Sequence, residues 1–69
     1  MADRVRLNEV IYELARVGSM VRVNAIDPAT GTEITTFGPV SAGEEQLKRV
    51  ALRKLEYVLA KRLRETVTQ

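Results

Sequence analysis

Residues 20–37 read MVRVNAIDPATGTEITTF, and the reading of this stretch decides the fold. Val21, Val23 and Ala25 alternate with Arg22 and Asn24, the two-residue period of a strand with one face turned to a core. Asp27-Pro28-Ala29-Thr30-Gly31 follows as a turn with a reason at each end. Asp27 can accept from N–H groups two and three residues on, Pro28 presets φ, and Gly31 tolerates the left-handed conformation that returns the chain. Thr32 to Phe37 (TEITTF) is again alternating and rich in β-branched residues, which favour a pleated surface. Gly38-Pro39 is expected to end that strand, because proline cannot donate to a ladder.

Upstream, Glu9 to Val17 (EVIYELARV) fits two periods. Leu7, Val10, Leu14 and Val17 recur at helical spacing, while Val10, Tyr12 and Leu14 alternate as a strand would. Gly18-Ser19 is a turn short enough for a hairpin into Met20, which favours the strand and leaves a helix as the alternative. The expected strands are therefore 9–16, 20–27 and 32–37, after a charged N-terminus (1–8) that should be frayed.

Downstream, residues 42–65 are expected to form one long amphipathic helix. Ser41-Ala42-Gly43-Glu44 has the Ser-x-x-Glu pattern of a capping box, in which each end residue satisfies the other's backbone N–H. Leu47, Ala51, Leu55, Val58, Leu59 and Leu63 then form one stripe, and neither glycine nor proline interrupts residues 44–69. Glu44 and Glu45 suit the positive end of the helix dipole, and Lys61, Arg62 and Arg64 the negative end. Strands and helix each carry one apolar side that must be buried. The simplest solution is an α+β fold, a three-stranded antiparallel β-meander packed against one long C-terminal α-helix (β-β-β-α), as a single domain over residues 9–66. Ala25 and Ala51 are small enough to let the two layers approach closely.

With 69 residues the chain makes one domain with a thin core. It has no cysteine and no histidine. That excludes disulfides and thiolate metal sites, and removes the commonest general base and transition-metal ligand. No apolar run approaches the ~20 residues of a membrane span, and no apolar segment follows the N-terminus as a secretory signal requires, so a cytoplasmic protein is expected. The formal net charge is +2, unevenly placed. Arg4, Arg6, Arg16 and Arg22 stand against Asp3, Glu9, Glu13, Asp27 and Glu33, which makes residues 1–40 net −1. Lys48, Arg49, Arg53, Lys54, Lys61, Arg62 and Arg64 against Glu44, Glu45, Glu56 and Glu65 make residues 41–69 net +3.

The two layers disagree in length. About 24 helical residues span roughly 36 Å at about 1.5 Å each, whereas strands of about seven residues reach some 23 Å. The last turns, carrying Leu59, Leu63 and Val67, should outrun the sheet, and an apolar stripe left in water is a usual mark of an interface. A homo-oligomer is expected, most simply a two-fold dimer with helix ends or sheet edges in contact.

The candidates for chemistry are few. Asp27 and Glu33 flank one turn, but a catalytic pair needs a pocket to shift its pKa values, so no enzyme activity is expected. Asp27, Thr30, Gly31 and Glu33 superficially suggest an oxygen-ligand loop but lack the further acids of a calcium site, so no metal and no cofactor is expected. Arg49, Arg53, Lys61 and Arg64 lie away from the apolar stripe, where they could meet phosphates. Local pairs such as Glu45 with Arg49 and Arg53 with Glu56 would instead make them an ordinary solvated face. Tyr12, Phe37 and Tyr57 form no stacking platform for single-stranded nucleic acid. The β-β-β-α order is similar to the later part of double-stranded-RNA-binding domains, yet the lysine-rich start of that family's last helix is replaced here by the acidic Ser41-Ala42-Gly43-Glu44-Glu45. Membrane association is not expected, because the helix stripe is needed for the core. On the outer face of the sheet, Arg22, Asn24 and Ile26 should stand beside Ile11, Glu13, Thr35 and Phe37, a mixed surface that suits a protein partner or plain solvent.

Val23-Asn24-Ala25-Ile26-Asp27-Pro28-Ala29-Thr30-Gly31-Thr32-Glu33, then Gly38-Pro39, then Leu47-Lys48-Arg49 and Ala51-Leu52-Arg53-Lys54-Leu55-Glu56-Tyr57-Val58-Leu59, carry a resemblance over about residues 9–62. The chain resembles short uncharacterised proteins of alphaproteobacteria known only as a domain of unknown function. The resemblance implies a bacterial cytoplasmic, stand-alone domain and no particular activity. The leading expectation is a non-catalytic, self-associating module that binds an unidentified protein partner through the sheet face or the helix overhang. Nucleic-acid binding through Arg49, Arg53, Lys61 and Arg64 is the runner-up.

Overall fold

A computed structural model describes residues 9–68, with side chains placed through residue 65. The expected frayed segment (1–8) and the Val67 side chain lie outside the described residues. Strand β1 (Ile11–Val17), strand β2 (Met20–Asp27) and strand β3 (Thr32–Pro39) form one antiparallel sheet in the order β1-β2-β3, and helix α1 (Glu44–Thr68) follows. The β-β-β-α meander read from the sequence is the fold. The ambiguous segment settles as strand over Ile11–Val17, because its partner β2 lies one two-residue loop away.

That loop is Gly18-Ser19, closing on the pair Val17–Met20. Gly18 has φ 62 while Ser19 has a negative φ, the combination of a type II′ turn whose twist suits a hairpin. The second turn uses Gly31 at φ 75, with its N–H donating to the Asp27 carbonyl at 2.8 Å. The register sets Ile11 opposite Ile26 and Leu14 opposite Val23 on one side of β2, and Val23 opposite Thr36 and Ala25 opposite Ile34 on the other.

Several boundaries differ from expectation: β1 starts at Ile11 rather than residue 9, and two others carry a physical reason. β3 continues through Gly38-Pro39, with Pro39 paired to Met20. Proline is admissible there because β3 is an edge strand and its missing N–H falls on the open side. The ladder is completed one residue later, where the Val40 N–H donates to the Ser19 carbonyl at 2.9 Å. The Ser41–Glu44 capping box does not form. Val40–Ala42 is a turn of 3₁₀ helix, Gly43 follows at φ 87, and α1 begins at Glu44 with the Leu47 N–H donating to the Gly43 carbonyl at 3.1 Å. Ser41 is spent in turning the chain from sheet to helix, so it stands too early to cap α1.

The core is Val23, Ala25, Ile34, Leu47, Ala51 and Leu55, of which Val23, Ala25, Ala51 and Leu55 are 0% exposed. The connection from Pro39 to Glu44 is short, so α1 begins beside β3 and runs back over β2 and β3 rather than over β1. Where it starts, a Cβ at Gly38 would run into the Leu47 side chain. This glycine is there for the close approach of two layers. Leu47 is itself buried and cannot swing aside freely. Gly38→Ala should therefore destabilise the fold by about 1–3 kcal/mol as overpacked cores do, measured as a lowered urea midpoint with unchanged slope. An unchanged midpoint would show that this contact is slack.

Candidate functional site

At the Asp27 end of the sheet, a polar chain ties the second hairpin to the helix. Asp27 and Thr32 are 5% and 4% exposed and face the helix side. The Asp27 carboxylate accepts from the Ala29 N–H at 3.3 Å and from the Thr30 hydroxyl at 2.7 Å. The Thr30 and Thr32 oxygens are 2.8 Å apart. A hydroxyl has one proton, so with Thr30 donating to Asp27 it is Thr32 that donates to Thr30. The Thr32 N–H also points at the Thr30 oxygen, at 3.3 Å. The Thr32 oxygen in turn accepts from the Arg62 guanidinium at 3.2 Å. Among the described residues no buried side-chain nitrogen or oxygen lacks a partner. The buried members of the chain are thus all hydrogen-bonded, as buried polar groups that hold a turn in place require. Glu33, paired with Ile26, stands on the opposite sheet face from Asp27, so the two carboxylates cannot act on one atom. No three His, Cys, Asp or Glu side chains gather as a metal site needs, among the described residues.

The reach of Arg62 also relocates the helix overhang. Leu59 is half-buried against the core edge, whereas Leu63, one turn on, is 51% exposed. The apolar surface that outruns the sheet thus starts at Leu63, with Val67 beyond the described side chains. Lys48, Leu52, Leu59 and Leu63 fall on one flank of α1 by their helical spacing. Lys48 stands 5.6 Å over the Tyr12 ring, so this flank is the one toward β1. Because α1 covers β2 and β3, the inward row of β1 is only partly covered, and Val10, Tyr12 and Leu14 lie half-buried at the rim of the core. The sequence marked Leu63 but not this β1 row. Its one signal was that the row is apolar on an edge strand, and which edge the helix would leave uncovered is a tertiary matter.

The outer sheet face matches the sequence reading. Cross-strand neighbours there are Ile11, Ile26 and Glu33, then Glu13, Asn24 and Thr35, then Ala15, Arg22 and Phe37. Thr35 donates to the Asn24 side chain at 2.8 Å, while Ile11, Val17, Met20 and Phe37 are exposed, Phe37 at 62%. Arg49, Arg53, Lys61 and Arg64 are all exposed on the helix side away from the sheet. Glu44 and Lys48 form an ion pair on α1 at 3.7 Å. The local pairs of Glu45 with Arg49 and Glu56 with Arg53 are not formed.

The chain matches the family model described as Domain of unknown function (DUF6898) over residues 7–62, and it belongs to that family. No curated protein and no solved structure matches it. No helix among the described residues is long and apolar enough to cross a membrane.

Tyr12 offers a handle on the partly covered row. Burial pushes its phenol above the usual tyrosine range, the nearby Lys48 ammonium opposes that rise, and Glu56 and Glu45 add to it. A raised pKa means that the folded state holds the neutral phenol more tightly than the unfolded one. The resulting stability is complete below the ordinary phenol pKa of about 10 and is lost as pH climbs through the folded value. Urea midpoints followed from pH 8 to 11 should fall more for the natural protein than for Tyr12→Phe. Parallel curves would mean that Tyr12 is as solvated folded as unfolded.

Proposed function

We propose that this DUF6898 protein is a non-catalytic, self-associating protein-interaction module, cytoplasmic and bacterial as its sequence resemblance implies. The observation that carries this reading is the off-centre helix. It leaves Val10, Tyr12 and Leu14 partly covered on one side of the molecule, with Leu59 and Leu63 on the helix flank facing them. A chain of 7.7 kDa has little apolar surface to spare, and a second copy is the cheapest cover for what its own fold leaves open. The exposed Ile11, Val17, Met20 and Phe37 on the outer sheet face are then the surface left for a different protein partner. Sedimentation at micromolar concentration should find a species of twice 7.7 kDa. A clean single-chain mass across that range ends the self-association reading.

Nucleic-acid binding is the second reading, favoured by one observation: Arg49, Arg53, Lys61 and Arg64 share an exposed side of α1 with no acidic side chain paired to them among the described residues. Basic groups aimed at a polyanion gain from releasing its condensed counterions. If these four meet duplex phosphates, affinity should fall about 100-fold between about 50 and 200 mM salt. A flat response, or no shift of a labelled duplex at the lower salt, removes this reading.

A further inference from the structure

The sheet has two edges, and they are treated differently. In an antiparallel ladder, successive residues turn their N–H and C=O alternately to one neighbour and the other. The two-residue hairpin closes with a hydrogen-bonded Val17–Met20 pair, so Ile11, Glu13, Ala15 and Val17 bond to β2. Tyr12, Leu14 and Arg16 therefore turn their backbone groups outward along β1. On the far side, the Val40 N–H bonded to Ser19 fixes the complementary phase, in which β3 turns Glu33, Thr35, Phe37 and Pro39 outward. That edge is blunted. Pro39 has no N–H to offer, and the Thr35 carbonyl accepts from the Lys54 ammonium at 3.5 Å. Proline and lysine on an edge strand are the usual devices against strand addition. The β1 edge carries no proline, and no lysine bonds to its backbone. The cations beside it are engaged elsewhere: Arg16 donates to the Gly18 carbonyl at 3.0 Å, inside the hairpin turn, and Lys48 of α1 stands over the Tyr12 ring. The open edge is also the side on which the inward row is half-covered.

Resting on the self-association proposed above, we infer that the cover is a second copy, joined β1 to β1 antiparallel about a two-fold axis at Leu14. Matching faces across a continuous sheet allows an axis only at a residue of the strand, and the charges choose among them. An axis at Glu13 sets two carboxylates directly opposite, the closest approach a sheet offers. An axis at Ala15 sets Arg16 against Leu14 and Glu13 against Val17. An axis at Leu14 sets Leu14 on Leu14, Ile11 on Val17 and Arg16 opposite Tyr12, with no like charges directly opposed. The outward backbone groups of Tyr12, Leu14 and Arg16 then all find partners. The result is one continuous sheet with both helices on one face, their Leu52 and Leu59 flanks turned toward the seam.

Since the chain contains no cysteine, a single introduced one can form only an intermolecular disulfide. Directly opposed hydrogen-bonded residues have Cα atoms about 5.5 Å apart, within disulfide range. Under mild oxidation at micromolar concentration, Leu14→Cys should convert nearly completely to a covalent dimer with an unchanged circular dichroism spectrum. Glu13→Cys, Ala15→Cys and Leu63→Cys should give several-fold less. Should Leu14→Cys perturb the fold, Tyr12→Cys mixed with Arg16→Cys reads the same register through a hetero-dimer. Preferential linkage at Glu13 or Ala15 overturns the register. Linkage at Leu63, or a sedimenting dimer that none of these cysteines captures, overturns the β1 seam while leaving self-association standing. A single-chain mass for the natural protein overturns both.

Discussion

The close approach of α1 to the sheet at Ala25, Ala51 and Gly38 is the constraint on which the rest of this protein depends. Val23 and Leu55 can be wholly buried only because small residues beside them let the layers meet without a gap. Gly38 does the same where the helix begins, under Leu47. Close packing is unforgiving of added volume in so thin a core, because no second layer exists to absorb the displacement. The short link from Pro39 through the 3₁₀ turn then leaves the helix no choice of position. It lies over β2 and β3, antiparallel to the strand it has just left.

From that offset the asymmetry of the molecule follows. One edge of the sheet lies within reach of Lys54 and is closed by Pro39, and the other lies beyond the helix with its backbone groups outward and its apolar row half-covered. The two ends of the helix differ as well. The Arg62 guanidinium is held at the sheet by Thr32, and through Thr30 that bond reaches the buried Asp27. A turn that looked from the sequence like simple hairpin chemistry is therefore also the anchor of the helix. It stops the overhang from starting before Leu63.

Charge plays a different part. Arg62 and Lys54 reach the sheet, but Arg49, Arg53, Lys61 and Arg64 face solvent with no acidic partner among the described residues, and exposed pairs would contribute little in any case. Their arrangement keeps one side of the helix in water. The stabilising polar contacts lie elsewhere, in the Asp27–Thr30–Thr32 turn, where burial makes a satisfied hydrogen bond matter more.

The sequence by itself determined the element order, the turn from Asp27 to Gly31 and the helical stripe from Leu47 to Leu63. These depend on periods of two and 3.6 residues and on turn residues that act locally. It also placed Ala25 and Ala51 correctly at the layer boundary and the outer row Ile11, Glu13, Thr35 and Phe37 on the open face. It erred on the start of the helix, because the Ser41–Glu44 pattern describes a cap equally well wherever the chain turns, and on the end of β3, because a proline's admissibility depends on whether its strand is an edge. Only the tertiary structure decided which strand the helix leaves uncovered, that Arg62 ties down the far turn, and which sheet edge is blunted. Each of those is a contact between residues distant in the chain. Local propensity carries no information about such contacts until the layers have packed.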